Sequence, residues 1–478
     1  MYLGLDLGTS GLKGILLDDD QRVVAETTAP LTNERPHDGW SEQAPESWIA
    51  AAEAVFAELG AKADLSGLKG IGLSGQMHGA TLLDSADKVL RPCILWNDTR
   101  SAEEAAELDG NPAFRKLTGN IVFPGFTAPK LAWVKRHEPE IFEKVAKVLL
   151  PKDYLRLWLT GEYVGEMSDA AGTAWLNVET RDWADELLAA TDLSRAHMPR
   201  LVEGSEVSGT LRGELAAKYG IPAGVVVAGG GGDNAASAVG MGVVKAGQAF
   251  VSLGTSGVLF AASDAYQPDA ASAVHTFAHA LPGTWHQMGV ILAAADALNW
   301  FAGIAGAPAS ELTGSLGDLK APGRTLFLPY LGGERTPHND AKVRGAFLGL
   351  DHGADRAALT RAVLEGVTFA LADCAEALQG TGTSIDRLIA VGGGSRSDYW
   401  LKAIATALDM PVELPEAGDF GGAYGAARLG LMAATGAGTE IATPPAIART
   451  IEPEAGLTQA FKDTHDRYRA AYGAIRSV

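Results

Sequence analysis

One pentapeptide occurs twice in this chain: Leu-Gly-Thr-Ser-Gly, at 7–11 and again at 253–257. Each copy lies between two apolar runs of strand length, Tyr2–Leu7 and Leu12–Leu17 in one place, Gln248–Leu253 and Val258–Ala261 in the other. One such turn constrains little. The same turn between the same elements, about half a chain apart, predicts a duplicated α/β domain. With 478 residues available, the expected division is 1–244 and 245–478, joined through the small residues of Gly242–Gly247.

The remaining pattern fits that frame. Val23–Thr27 reads as a third strand, Glu46–Leu59 as an amphipathic helix and Leu68–Leu73 as a buried strand. Helices are expected at Ser101–Leu108, Ala128–His137, Pro139–Val148 and Lys152–Thr160. Val225–Gly229 and Leu388–Val391 read as strands that run into glycine turns. The tail from Ala442 reads as polar and partly helical. The formal net charge of −19 repels polyphosphate backbones, so a nucleic-acid partner is not expected. Cys93 and Cys374, the only cysteines, form no disulfide or zinc framework and suit the reducing cytoplasm. Met1–Asp6 lacks a basic leader and reads as a core strand, and no run is apolar enough for a membrane helix.

The motifs then suggest chemistry. In a Gly-Thr-Ser-Gly turn, backbone N–H groups and hydroxyls converge on one concavity, a phosphate cradle without a lysine. Gly8, Thr9 and Ser10 would form one wall and Gly254, Thr255 and Ser256 the other. The copies differ at the preceding strand residue, Asp6 against Ser252. A carboxylate beside phosphates is repulsive unless a cation intervenes, which makes Asp6 the candidate to hold hydrated Mg²⁺. Lys13 faces either the phosphates or solvent. Four glycines, Gly229–Gly232, precede Asp233 and Asn234. Asp233 is a candidate general base for a substrate hydroxyl, with helix capping as its structural role. Ser74–Gly79 and Leu95–Arg100 follow strands, where α/β sheets hold ligands. His78, Asp98 and Asn234 could bond a polyol, with Met77 or Trp96 as an apolar wall. Gly392, Gly393 and Gly394 expose backbone that could lie against a nucleoside. The 331–338 loop, Leu-Gly-Gly-Glu-Arg-Thr-Pro-His, has no evident duty. His275 and His279 have the spacing of two metal ligands on one helix face but lack a third.

Taken together, these stretches resemble the FGGY carbohydrate kinases over essentially the whole chain. Further family-type segments are Gly39–Gln43, Gly125–Trp133, Met167–Thr173 and Gly345–Leu350; Ala358 is a minor departure in the second signature. The Met77-His78 pair resembles the branch acting on D-xylulose, where glycerol-specific members carry Arg-Glu. The resemblance implies an actin/hexokinase/Hsp70-like, ribonuclease H-like duplicated fold with a central cleft. It implies that ATP, with Mg²⁺, phosphorylates the terminal hydroxyl of D-xylulose in the cytoplasm. Asp233 would be the base and Met77, His78 and Asn234 the sugar contacts. Asp6 would serve the metal–phosphate site, Gly254–Ser256 the phosphates and Gly392-Gly393 the adenosine. It also implies a homodimer. A kinase for ribulose or xylitol, or a noncatalytic nucleotide-driven module, remains the alternative.

Overall fold

A computed structural model describes residues 1–416 and 420–476. The first half is built on a mixed sheet. Tyr2–Leu7 (β1), Gly11–Leu17 (β2) and Val23–Pro30 (β3) form an antiparallel meander, and Gly70–Gly75 (β4) lies parallel to β1 on its other side. Val207–Thr210 (β5) and Val226–Ala228 (β6) complete the sheet in the order β5-β6-β4-β1-β2-β3. β1 is almost wholly buried, as a central strand covered on both faces must be, whereas β3 alternates between exposed and buried positions as an outer strand does. The helix Pro45–Lys62 (α1) starts with proline and Glu46 and ends with Lys62, each suited to its end of the helix dipole. Trp48, Val55, Phe56 and Leu59 form its buried face.

The second half repeats the plan. Gly247–Leu253 (β7), Gly257–Ser263 (β8), His275–Ala278 (β9) and Trp285–Ile291 (β10) are antiparallel to their neighbours. Ile385–Val391 (β11) and Val412–Pro415 (β12) then add in parallel and Ile447–Ile451 (β13) closes the edge, giving β9-β10-β8-β7-β11-β12-β13. β1, β2, β3, β4 and β6 thus correspond in order to β7, β8, β10, β11 and β12. The sequence expectation of two related cores holds at the level of strand order.

Two expectations need correction. Pro139–Val148 is not one helix: it coils only over Pro139–Phe142, and Lys147–Leu149 is a strand pairing with Thr81–Leu83. Val148, β-branched and buried, suits that strand. His275 stands on β9 and not on a helix, with His279 just beyond it. The tail is partly helical as expected, over Thr458–Ile475, and carries β13 before that helix.

The halves also interlock. Asp233–Met241 (α2) ends the first half, and Gly422–Thr435 (α3) belongs by sequence to the second. Yet α3 lies against the first sheet and α2. A Cβ on Gly4 would stand 1.8 Å from the Ala423 carbonyl oxygen, one on Gly72 1.7 Å from that of Ala426, and one on Gly425 1.7 Å from that of Ala236. Only bare backbone permits this approach. Because the obstructing atoms are main-chain oxygens, no rotamer change can relieve them. Gly72→Ala is therefore expected to cost at least about 3 kcal/mol, read as a lowered urea midpoint at unchanged slope.

Candidate active site

The glycine turns and the His78 and Asp233 motifs lie where strands of the two sheets end. β1 runs into Gly8–Ser10 and β4 into Gln76-Met77-His78. β6 runs into the glycine tract, whose last two residues pair with β4, Gly231 opposite Ser74 and Gly232 opposite Gly75. Asp6 lies opposite Lys13 on one side and Ser74 on the other. Ser74 Oγ donates to Asp6 Oδ1 at 2.8 Å.

The four glycines have a steric reason. A Cβ on Gly229 would meet the Glu203 carbonyl at 2.2 Å, and one on Gly230, whose φ is +78°, would meet that of Leu73 at 2.1 Å. Gly232 lies against Met77, whose Sδ would be 2.9 Å from such a Cβ. The tract threads between two backbones and delivers Asp233 as the first residue of α2. Gly232 takes the N-cap position, so capping does not need the Asp233 carboxylate. That carboxylate accepts from the backbone N (2.7 Å) and Nδ2 (3.0 Å) of Asn234, both at Oδ1. Burial and then the nearby Asp6 raise its pKa to about 6.

A buried ionic cluster supports the tract. Arg156 donates to the carbonyls of Ala228 and Gly229, both at 2.5 Å, and Ser168 Oγ accepts from Gly232 N at 3.0 Å. Lys152 lies 2.8 Å from Asp153 and 2.9 Å from Asp169, both buried. Arg156 and Ser168 had no motif to reveal them; only the unexplained Met167–Thr173 stretch pointed there.

His78 adopts a left-handed backbone, φ +70°. Its Nδ1 is 2.7 Å from the Gly172 carbonyl, and a carbonyl can only accept, so Nδ1 carries the proton. Burial lowers its pKa to about 3, which leaves Nε2 a bare acceptor at neutral pH. The ring stacks on Phe126 at 4.9 Å. Lys130 holds the loop by donating to the carbonyls of His78 (2.7 Å) and Gly125 (2.8 Å), which explains the Gly125–Trp133 segment.

Two expected ligands are otherwise engaged. Asp98 is buried and accepts from Ser41 N, Arg100 N and the Arg100 guanidinium, so both its oxygens are engaged in an internal ion pair. Thr9 Oγ1 gives its one hydrogen to Gln76 Oε1 (3.0 Å) while accepting from Trp96 Nε1 (3.0 Å). Its side chain thus ties the turn to the Gln76 and Trp96 loops, and the backbone of Gly8–Ser10 is what the turn has left to offer. Gln76, which also donates to Gln43 at 3.0 Å, went unrecognised because its role is a relation to distant residues. Trp96 keeps 48% of its surface exposed.

Between the halves lies a cavity of about 660 Å³, touched by Lys13, Asn234, Phe250, Ser252, Val391 and Gly421. Lys13 pairs with Glu26 at 3.0 Å. A second cavity of about 550 Å³ is lined by Thr313, Gly317, Gly393, Gly394, Arg396 and Ser397. Gly392, at φ +89°, and Gly394 admit no Cβ beside Leu253 and Trp400, while Gly393 faces open space. The carbonyls of Gly254 and Thr255 accept from the amides of Ala294, Ala295 and Asp296, fixing the second hairpin to a helix start. Among the described residues, no cluster of three or more acidic, His or Cys side chains could cage a metal. Asp6 could hold Mg²⁺ only together with water and ligand oxygens, the habit of that ion. Again among the described residues, no helix is long and apolar enough to cross a membrane.

Paired sheets of this order around one cleft are the actin/hexokinase-like fold, and the chain is an enzyme of its sugar-kinase class. Models of the N- and C-terminal domains of the FGGY family of carbohydrate kinases match residues 1–240 and 249–434. The chain belongs to that family. It is 49% identical to a xylulose kinase of Escherichia coli (strain K12), covering 99% of this chain and 98% of that one. It is 53% identical to one of Klebsiella pneumoniae over 91% and 90%. The crystal structure of a xyloylose kinase from Brucella ovis superposes with a TM-score of 0.99 at 64% identity, covering 100% and 99%.

Proposed function

We propose that this enzyme transfers the terminal phosphoryl group of ATP to the terminal hydroxyl of D-xylulose. The observation that carries the reading is the placement of Asp233: a carboxylate set at the start of α2 by a glycine tract that pairs with β4, with Oδ1 engaged by Asn234. The relatives named above support the substrate, since those from Escherichia coli and Klebsiella pneumoniae are xylulose kinases.

In this reading the sugar lies along Met77, His78 and Asn234. Asp233 Oδ1 is turned to Asn234, which leaves Oδ2 to take the hydroxyl proton as the oxygen attacks phosphorus. A loose transition state releases that proton late, so alignment matters more than basicity. His78 Nε2 accepts from a sugar hydroxyl. Backbone amides of Gly8–Ser10 and Gly254–Ser256 hold phosphate oxygens, and Gly392–Gly394 border the adenosine. Asp6 would hold Mg²⁺, which when bound neutralises charge on the transferring phosphoryl group. Closure of the halves excludes water, which would otherwise compete for the phosphoryl group. Two buried, unbridged cysteines suit a cytoplasmic location.

The test is ADP release with D-xylulose beside D-ribulose, L-ribulose, xylitol and glycerol. D-xylulose is expected to exceed the other five-carbon compounds in kcat/KM by about tenfold or more, and glycerol by about 1000-fold, because a short polyol leaves buried donors unmatched. A higher value for ribulose would move the assignment to another ketose.

A further inference from the structure

The 331–338 loop finds a duty in the structure. It is pinned to the second sheet: Thr336 N donates to the Val290 carbonyl, and Thr336 Oγ1 donates to that of Ala273 and accepts from Val290 N. Arg335 therefore projects from a fixed base. Its guanidinium lies 4.5 Å above the Phe123 ring and 3.5 Å from His275 Nε2. Phe123 packs edge-on against Phe126, the ring that stacks on His78. Two rings, Phe123 and Phe126, thus link the guanidinium of the second half to the sugar loop of the first.

Its partners do not satisfy it. A guanidinium has five N–H donors, and among the described residues its side chain makes only that long bond to His275. Among the described residues, no carboxylate lies within ion-pair distance of it. The adjacent Glu334 is turned away, its Oε1 accepting from Leu292 N and Arg335 N. Burial raises the Glu334 pKa to about 8, so it offers little countercharge. Arg335 is only partly buried, and a cation–π contact leaves its remaining N–H groups open to a ligand or to water. His275 gives an independent sign. It is 4% exposed, and its Nδ1 has no hydrogen-bond partner. As Nε2 accepts from Arg335, Nδ1 carries a hydrogen with nowhere to go.

The geometry points to Arg335, backed by His275, as the residue with which the second half binds a carbonyl oxygen of the sugar, at the end remote from Asp233. The assignment rests on the sugar-kinase reading above. Its chemistry is complementary: Arg335 only donates, a keto oxygen only accepts, and the bare Nε2 of His78 needs a hydroxyl. Arg335 is close enough to His78 and His275 to lower the pKa of both. A ketose would then be told from its polyol by this one side chain.

The test is a cycle of two enzymes and two substrates. Arg335→Met is expected to lower kcat/KM for D-xylulose about 10- to 100-fold, mostly through KM, while xylitol loses less than about threefold and KM for ATP is unchanged. Arg335→Lys, which keeps charge and stem but not the planar fork, should recover part of the difference; it carries the same comparison if the Met variant does not fold. Equal losses for ketose and polyol, or a parallel rise in KM for ATP, overturn the assignment. Wild-type enzyme is measured first: no turnover of D-xylulose overturns the substrate reading, whereas turnover with an unaltered ketose-to-polyol ratio in the variants overturns Arg335 alone.

Discussion

Asp233→Asn is expected to lower kcat for sugar phosphorylation by about 1000-fold or more, with ATP affinity changed less than about twofold. The substitution separates chemistry from structure. Gly232 and not Asp233 holds the N-cap position, and the amide oxygen of an asparagine at 233 can still accept from Asn234. A structural carboxylate would therefore tolerate the change, and a base would not. The same variant should be more stable at pH 8, by a few degrees in Tm. The sign follows from linkage: the folded pKa, about 6, lies above the unfolded value near 3.9, so the buried charge destabilises the wild type. That cost is complete above about pH 6 and disappears as pH falls towards 4. The stability gained on removing the charge must follow the same course. Wild-type turnover in the variant ends the case for Asp233 as base, and a gain in Tm that persists unchanged to pH 4 ends the account of its environment.

The residues that sequence reveals here are those whose constraint is local. The paired Gly-Thr-Ser-Gly turns and the glycine run before Asp233 are dictated by backbone geometry over a few positions, and each marks a strand end. What sequence hides is relational. Asp98 and Asn234 look alike as hydrogen-bonding residues after strands, yet Arg100 claims Asp98 and the cleft claims Asn234. Thr9 reads as a phosphate donor until Trp96 and Gln76 are seen to engage its hydroxyl. Gly4, Gly70 and Gly72 pass for tolerated strand glycines, although they are the seat of a helix from beyond residue 420. The Pro139–Val148 pattern failed as a helix because a short buried strand and a helix can show the same apolar spacing.

Asp6→Asn is expected to lower kcat about 100-fold at saturating substrates and to raise the Mg²⁺ concentration needed for half-maximal rate. Asparagine keeps the acceptor for Ser74 Oγ, so the sheet edge should remain intact while the negative charge is lost. An uncaged site of this kind depends on that single charge, since water and phosphate oxygens must supply the remaining ligands. A second consequence is independent of catalysis. Asp6 raises the pKa of Asp233, and two carboxylates that repel one another must show a coupling energy. In the ligand-free enzyme the stability gained by Asp233→Asn should be smaller in the Asp6→Asn background than in wild type, and the difference should shrink at high salt. Burial alone would give equal gains in both backgrounds. Unequal gains together with unchanged Mg²⁺ dependence would leave Asp6 a neighbour of the base without a hold on the metal. Equal gains with altered Mg²⁺ dependence would place the two carboxylates too far apart to serve one transferring group.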